Sequence, residues 1–179
     1  MQKRTLSRLE VAILGLVSTG APCTAYWIRK QFRDSASSHF SGSAGAVYPA
    51  IRRLEKQRFV RGAGQTTGAR KQRDYQLTAR GDKALRDWLK PPLPLEDVTY
   101  SFDPIRTRVY CLGELSAEER RRFVDDALEQ SRRYLAMVKK DCEARRRAGD
   151  ALPHLGARGV LHEVRARIRW LGELQRAFS

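Results

Sequence analysis

Cysteine is scarce in this chain, and its three residues, Cys23, Cys111 and Cys142, are scattered. An odd, dispersed set argues against a disulfide framework and against a zinc site. Histidine is as sparse: His39, His154 and His162 show no metal-ligand spacing, so no metal is expected. No apolar run is long enough to span a bilayer. The first twenty residues, MQKRTLSRLEVAILGLVSTG, begin as a signal peptide would, with basic and then apolar residues. Glu10 interrupts the apolar part, so the stretch reads as a helix of the folded domain and the protein as cytoplasmic. No serine or cysteine sits in a nucleophile motif, and no acid–base pair stands out. The chain is therefore not expected to be an enzyme, nor to need a cofactor. The Gly-rich segment GAGQTTGARKQR (62–73) fails both the Walker and the dinucleotide spacing, and it joins strand to strand, so no helix N-terminus faces a phosphate there.

Acidic residues are also short in number, 20 Asp+Glu against 35 Lys+Arg in 179 residues, a formal charge of +15. Such an excess favours a polyanionic partner: DNA, RNA or an anionic membrane surface. Hydrophobic residues make up 41 %, enough for a core and too many for a disordered chain.

Periodicity supplies the elements. Ser7 and Glu10 have capping-box spacing, with Leu6 and Val11 placed as a hydrophobic staple. Leu9, Ala12, Ile13, Leu16 and Val17 continue as a helical stripe that Gly20 and Pro22 end. Thr24 can cap a second helix with Ala25, Ile28 and Phe32 on one face. Segment 34–43 reads as a turn or loop. In a third helix Val47, Ile51 and Leu54 fall on one side. At about 100° per residue, Tyr48, Pro49, Arg52 and Lys56 fall on the other. Pro49 implies either a later start than Ser43 or a bend. Phe59 and Val60 open one short strand and RDYQL (73–77) is a second. Thr78 caps a fourth helix with Gly81, Ala84, Leu85 and Trp88 facing inward.

The segment KPPLPLEDVTYSFDP (90–104) reads as a linker. Beyond it Ser116 and Glu119 repeat the capping box. Val124, Leu128, Ser131, Leu135, Val138 and Cys142 follow at heptad spacing. After Gly149 and Pro153 comes a second stripe, Leu161, Val164, Ile168, Leu171, Leu174 and Phe178. Neither helix can bury its stripe alone, so they pair with each other, with the N-terminal domain or with a second chain.

A basic helix followed by a cationic hairpin is the pattern of a winged helix-turn-helix. The helix enters the major groove and the hairpin touches the neighbouring backbone. Three segments carry a resemblance to a family: LEVAILGLVSTGAPCTAYWIRKQF (9–32), GAVYPAIRRLEKQRFV (45–60) and RKQRDYQLTARGDKAL (70–85). The chain resembles the PadR family of bacterial transcriptional regulators. Its last eighty residues resemble, in architecture and spacing, the helical C-terminal domain of the longer, virulence-activator-like members. It departs from the family pattern at Thr24-Ala25, where His-Gly is common, and at Ala44, where Pro is common.

The expected fold is mainly α with a small two-stranded β-wing. Residues 1–90 form the winged helix-turn-helix, 91–103 a linker and 104–179 a helical dimerisation and effector domain. The resemblance implies a homodimeric, sequence-specific regulator of transcription, a repressor by the family's name, acting on a pseudo-palindromic operator in double-stranded DNA. It also implies a small aromatic effector, which some members bind between the winged domain and the C-terminal helices. No membrane partner is expected. The expected DNA contacts are Ser43, Tyr48, Arg52, Arg53 and Lys56 on the third helix, and Gln65, Thr66, Arg70, Lys71 and Arg73 on the wing. Two alternatives stay open from the residues alone: an RNA- or ribosome-associated winged helix, and a module that grips an acidic protein.

Overall fold

The computed structural model describes residues 5–35, 42–67, 70–99 and 103–179, with the side chains of 65–72 excepted. The chain divides into two compact units, Met1–Leu93 and Pro94–Ser179.

The N-terminal unit begins at the capping box. Ser7 Oγ accepts the Glu10 N–H at 3.3 Å, and Glu10 Oε2 accepts the Ser7 N–H at 2.9 Å. This reciprocal pair satisfies two orphan donors and starts α1, Arg8–Gly20. A short strand, β1 (Cys23–Thr24), follows, and Thr24 caps α2 (Ala25–Asp34) by accepting the Trp27 N–H at 3.0 Å. Helix α3 spans Ala44–Lys56, so it starts directly after Ser43 with Pro49 inside it. Proline lacks the donor for the Gly45 carbonyl. Gly45 is solvent-exposed, so water can take that acceptor.

A Schellman motif closes α3. The Phe59 N–H bonds the Leu54 carbonyl and the Arg58 N–H bonds the Glu55 carbonyl, both at 2.9 Å. Arg58 holds the left-handed position, φ 59°, that glycine usually fills. The turn delivers Phe59 and Val60 into the core and starts β2, Val60–Thr67, which pairs antiparallel with β3, Arg70–Leu77. The sheet has three strands in the order β1-β3-β2, because Cys23 and Thr24 pair with Tyr75 and Asp74. A two-residue strand carries no alternation signal, which is why the sequence suggested only two. The hairpin is also longer than expected. Residues 62–67 and 70–72, expected as the tip between two short strands, are paired strand.

Thr78 caps α4, Ala79–Leu89, and its hydroxyl also donates to the Arg58 carbonyl at 2.6 Å. Gly81 is required here: a Cβ would lie 2.0 Å from the Phe59 carbonyl oxygen. Trp88, expected to face inward, is half exposed, while Leu85 carries the packing. Ile13, Leu14, Val17, Ile28, Val47, Ile51, Leu54 and Val60 form the core of the unit. Burying a side chain of this size contributes about 1.5–3 kcal/mol.

In the C-terminal unit, short helices α5 (Leu95–Val98) and α6 (Pro104–Val109) and a single turn at Leu112–Glu114 precede two long helices. The helix α7 runs Ala117–Ala148 behind its own capping box of Ser116 and Glu119. Gly149, at φ 76°, ends it in the left-handed conformation, and α8 (Ala151–Ala177) returns after one further residue, with Pro153 tolerated in its first turn. The two stripes pack on each other: Val124, Ala127 and Leu128 of α7 meet Leu171 of α8, with Phe123, Ile168, Trp170 and Phe178 around them. Asp103 caps α6 and pairs with Arg167 of α8 at 2.9 Å, which fixes α6 to the hairpin.

Candidate nucleic-acid interface

The exposed face of α3 is built by helical spacing. Val47, Ala50, Ile51 and Leu54 are buried, so Arg52 and Lys56 must point outward, and both are exposed. Among the described residues neither has an ion-pair partner. Tyr48 and Pro49 are half-buried beside them. At the start of the helix Ser43 is exposed and makes no side-chain cap bond. Among the described residues its hydroxyl and the N–H groups of Ala44 and Gly45 make no hydrogen bond, while the Ala46 N–H bonds the Ser43 carbonyl at 3.2 Å, and this end carries the partial positive charge of a helix N-terminus. The approach to that end is close-packed. A Cβ on Gly42 would lie 2.7 Å from the Arg33 backbone, and the Gly42 carbonyl accepts from Arg29 Nε at 3.0 Å.

Two of the expected contacts are engaged inside the fold. Arg53 donates from Nε to Glu10 Oε1 at 3.1 Å, and Glu10 is 1 % exposed. Arg73 of β3 faces Glu55 of α3 with a guanidinium fork, Nη2 to Oε1 at 2.8 Å and Nη1 to Oε2 at 3.4 Å. Tyr75 lies in the same corner. Its hydroxyl is pushed above its ordinary pKa by burial first and then by Glu55, against the opposing charges of Arg73 and Arg52. The side chains of Gln65, Thr66, Arg70 and Lys71 lie outside the described residues. Their backbones form the far end of the hairpin, in the register Gln65↔Gln72, Thr66↔Lys71 and Thr67↔Arg70.

Glu55 is the residue that sequence reasoning passed over. It reads locally as an acid interrupting a basic run. Its partner is eighteen positions away, across a turn whose length the sequence does not fix. Arg61, which donates to Gln76 at 3.1 Å across the hairpin, is a further cation on this surface that the sequence did not single out.

Charge is unevenly divided. Residues 1–93 hold 18 Lys+Arg against 6 Asp+Glu, and residues 94–179 hold 17 against 14, so +12 of the +15 belongs to the N-terminal unit. Several arginines of α7 are locally neutralised. Arg122 pairs with Glu118, Arg145 with Asp141, and Arg146 and Arg147 with Glu143, whose carboxyl is held down at about 2 by hydrogen bonds from those two arginines. Among the described residues no His/Cys/Asp/Glu group could hold a metal ion, and no helix is long and apolar enough to cross a membrane.

Residues 13–87 match the model of the PadR-like family of transcriptional regulators. The family consists of regulators of transcription, not enzymes. No curated protein matches the chain significantly. Among solved structures, Bacillus subtilis PadR in complex with operator DNA is similar at 22 % identity, with a TM-score of 0.82, covering 97 % of this chain and 100 % of that one. The same protein in complex with p-coumaric acid gives a TM-score of 0.74 at 22 % identity, over 95 % and 98 %. A PadR-like transcriptional regulator from Bacillus cereus gives 0.76 at 18 % identity, over 96 % and 98 %. The Vibrio cholerae virulence activator AphA gives 0.70 at 23 %, over 94 % and 96 %. Over residues 13–87 the sequence matches the PadR-like family of transcriptional regulators, and over nearly its whole length the fold is similar to that of Bacillus subtilis PadR.

Proposed function

We propose that the protein is a cytoplasmic, homodimeric, sequence-specific DNA-binding repressor that acts on a pseudo-palindromic operator. One observation carries this reading. The charge excess sits in the winged unit, and there Arg52 and Lys56 stand on the exposed face of α3 with no ion pair among the described residues. A helix with a basic outer face and an open N-terminus suits the major groove. In this reading α3 supplies base contacts through Arg52, with Ser43, Tyr48 and Lys56 on the phosphates beside it. The hairpin end, with Gln65, Thr66, Arg70 and Lys71, lies on the neighbouring backbone. The likeness to a regulator solved on operator DNA supports the reading.

Residues 91–103 serve as the linker and 104–179 as the dimerisation and effector unit. In the α7–α8 hairpin Leu152, Leu155 and Met137 remain 80 %, 56 % and 64 % exposed after the two stripes have packed, which leaves apolar surface for a second copy. Two reading heads on a two-fold axis call for two half-sites about one helical turn apart. A small aromatic effector is part of the proposal. Its support is the solved complex of the Bacillus subtilis protein with p-coumaric acid. Selection from random duplexes with the purified full-length protein tests the reading. Enriched sites should contain an inverted repeat. Failure to enrich any duplex, or preferential capture of structured RNA in competition, overturns it.

A further inference from the structure

The corner between α3 and the hairpin holds an acid that a DNA-facing surface should disfavour. Glu55 lies on α3 beside Arg52 and one position before Lys56, where a carboxylate repels a polyanion. It does not stand alone. Arg73 of β3 meets it with both Nη atoms, at 2.8 and 3.4 Å, and also approaches the Gly62 carbonyl of β2 at 3.5 Å. One guanidinium carried by β3 thus reaches both the neighbouring strand β2 and the helix α3, and its planar fork on Glu55 fixes orientation as well as distance. The backbone makes room for it. A Cβ on Gly62 would lie 2.8 Å from Glu55 Oε1 and 3.1 Å from Arg73 Nε, closer than side-chain atoms pack. A glycine inside a strand otherwise weakens it. Here it admits the ion pair. Glu55 is only 24 % exposed at its side chain, so the pair is partly shielded from water.

We propose that Glu55 is a positioning residue for DNA recognition: through Arg73 it locks the hairpin to α3, so that the two DNA-facing elements meet the duplex at a fixed spacing. Arg73 serves the lock and not a phosphate. This rests on the DNA-binding reading above. Pre-organising two contact elements lowers the ordering cost of binding. The sign of the expected effect separates the lock from plain electrostatics. Removing a carboxylate beside a polyanion should tighten binding, whereas removing a lock should weaken it.

The test compares the full-length wild type with Glu55→Ala, Arg73→Gln and the double variant. Affinity for a selected duplex is measured across a range of salt, and amide exchange of residues 61–64 and 73–76 is followed in the free protein. Each single variant should bind about three- to tenfold more weakly, a range suited to a partly exposed pair. The double variant should be no worse than either single one. The salt slope should stay at the wild-type value, and the strand amides should exchange faster in all three. Glu55→Ala binding as tightly as wild type or more tightly overturns the proposal. So does an Arg73→Gln effect that adds to it and lowers the salt slope by about one, the signature of a lost phosphate contact. Unchanged amide exchange in the variants overturns it as well. Wild type that binds no duplex removes the DNA-binding reading itself, and the proposal with it.

Discussion

Arg53 of α3 and Glu10 of α1 are joined by an ion pair at 3.1 Å, with the carboxylate almost wholly buried and the guanidinium half exposed. Glu10 also closes the capping box of α1 through its other oxygen. One carboxylate therefore starts a helix and ties it to the helix beside it. Charge-assisted bonds to a buried group are costly to lose, because the acid would keep its burial and lose this guanidinium. Arg53→Ala should lower stability by about 1–3 kcal/mol, read from urea denaturation. Discrimination between operator and random duplex should persist in the folded fraction. A variant that keeps full stability and loses that discrimination would return Arg53 to the DNA-contacting set.

Arg52 should behave in the opposite way. It is exposed on the outer face of α3 and supports no described partner in the fold. Arg52→Ala should change stability by less than about 0.5 kcal/mol. Loss of a base contact should cost about 1–3 kcal/mol of discrimination and relax specificity at one position of each half-site. Wild-type affinity should fall steeply with salt. If roughly 6–10 phosphates are contacted, the loss from about 50 to 200 mM is about three to five decades. A flat profile in a filter-binding or anisotropy titration would mean that the basic surface of the winged unit is not the binding surface.

The backbone at Arg58 offers a gain in stability. Its φ of 59° closes α3, and its own N–H and the Phe59 N–H complete the Schellman bonds. An L side chain pays a steric cost in this conformation that glycine does not. Arg58→Gly should therefore raise stability by roughly 0.5–1 kcal/mol, seen as a higher midpoint in thermal or urea unfolding. A lower midpoint would show that the arginine side chain contributes more than the strain removes.

Much of this architecture is legible in the residues because the signals are local. The two capping boxes, Ser7 with Glu10 and Ser116 with Glu119, form as their three-residue spacing predicts. Val47, Ile51 and Leu54 are buried and Arg52 and Lys56 exposed, as the helical period requires. The stripes Val124–Cys142 and Leu161–Phe178 are real, but the sequence left three candidate partners for them, and only packing shows that α7 and α8 take each other. What stayed illegible is non-local. Nothing near Cys23 signals that it will pair with Tyr75 as a third strand. Nothing near Arg53 or Arg73 reveals a carboxylate 43 or 18 positions away. The sequence assigns the basic residues of α3 to the groove and those of the hairpin to the neighbouring backbone, with no sign that any of them is paired within the fold. The fold divides them into those that brace the site and those that face outward.

The C-terminal unit has a built-in acid sensitivity at Asp103. Burial raises its carboxyl, but the N–H groups of Arg106 and Ile105 and the charge of Arg167 outweigh burial and hold it below the ordinary value. A carboxyl with a lowered folded pKa favours the folded state when ionised. Its contribution is present above the unfolded pKa and is lost as pH falls through the carboxylate range. Asp103→Asn should therefore destabilise the unit near neutral pH and make its stability fall less steeply below about pH 5. Circular dichroism melts from about pH 7 to pH 3 check this. Parallel pH profiles for the wild type and Asp103→Asn would rule the residue out.

Homodimer formation should depend on the start of α8. Leu152 and Leu155 lie three residues apart in its first turns, so they share a face, and they are 80 % and 56 % exposed while the stripe from Leu161 to Phe178 is already packed on α7. Lysine at both positions leaves the α7–α8 core untouched. Leu152→Lys with Leu155→Lys should therefore give a folded monomer, with unchanged helical content and a halved mass in sedimentation. Deleting 155–179 is a poorer test, because it also strips Val124, Leu128 and Val138 of their cover and invites aggregation. The monomer should bind a single half-site as the wild-type reading head does. It should lose the added affinity for the full operator, since that gain comes from effective concentration when one reading head holds the other near its site. A double variant that sediments as a dimer and binds the full operator normally would place the dimer contact away from the first turns of α8.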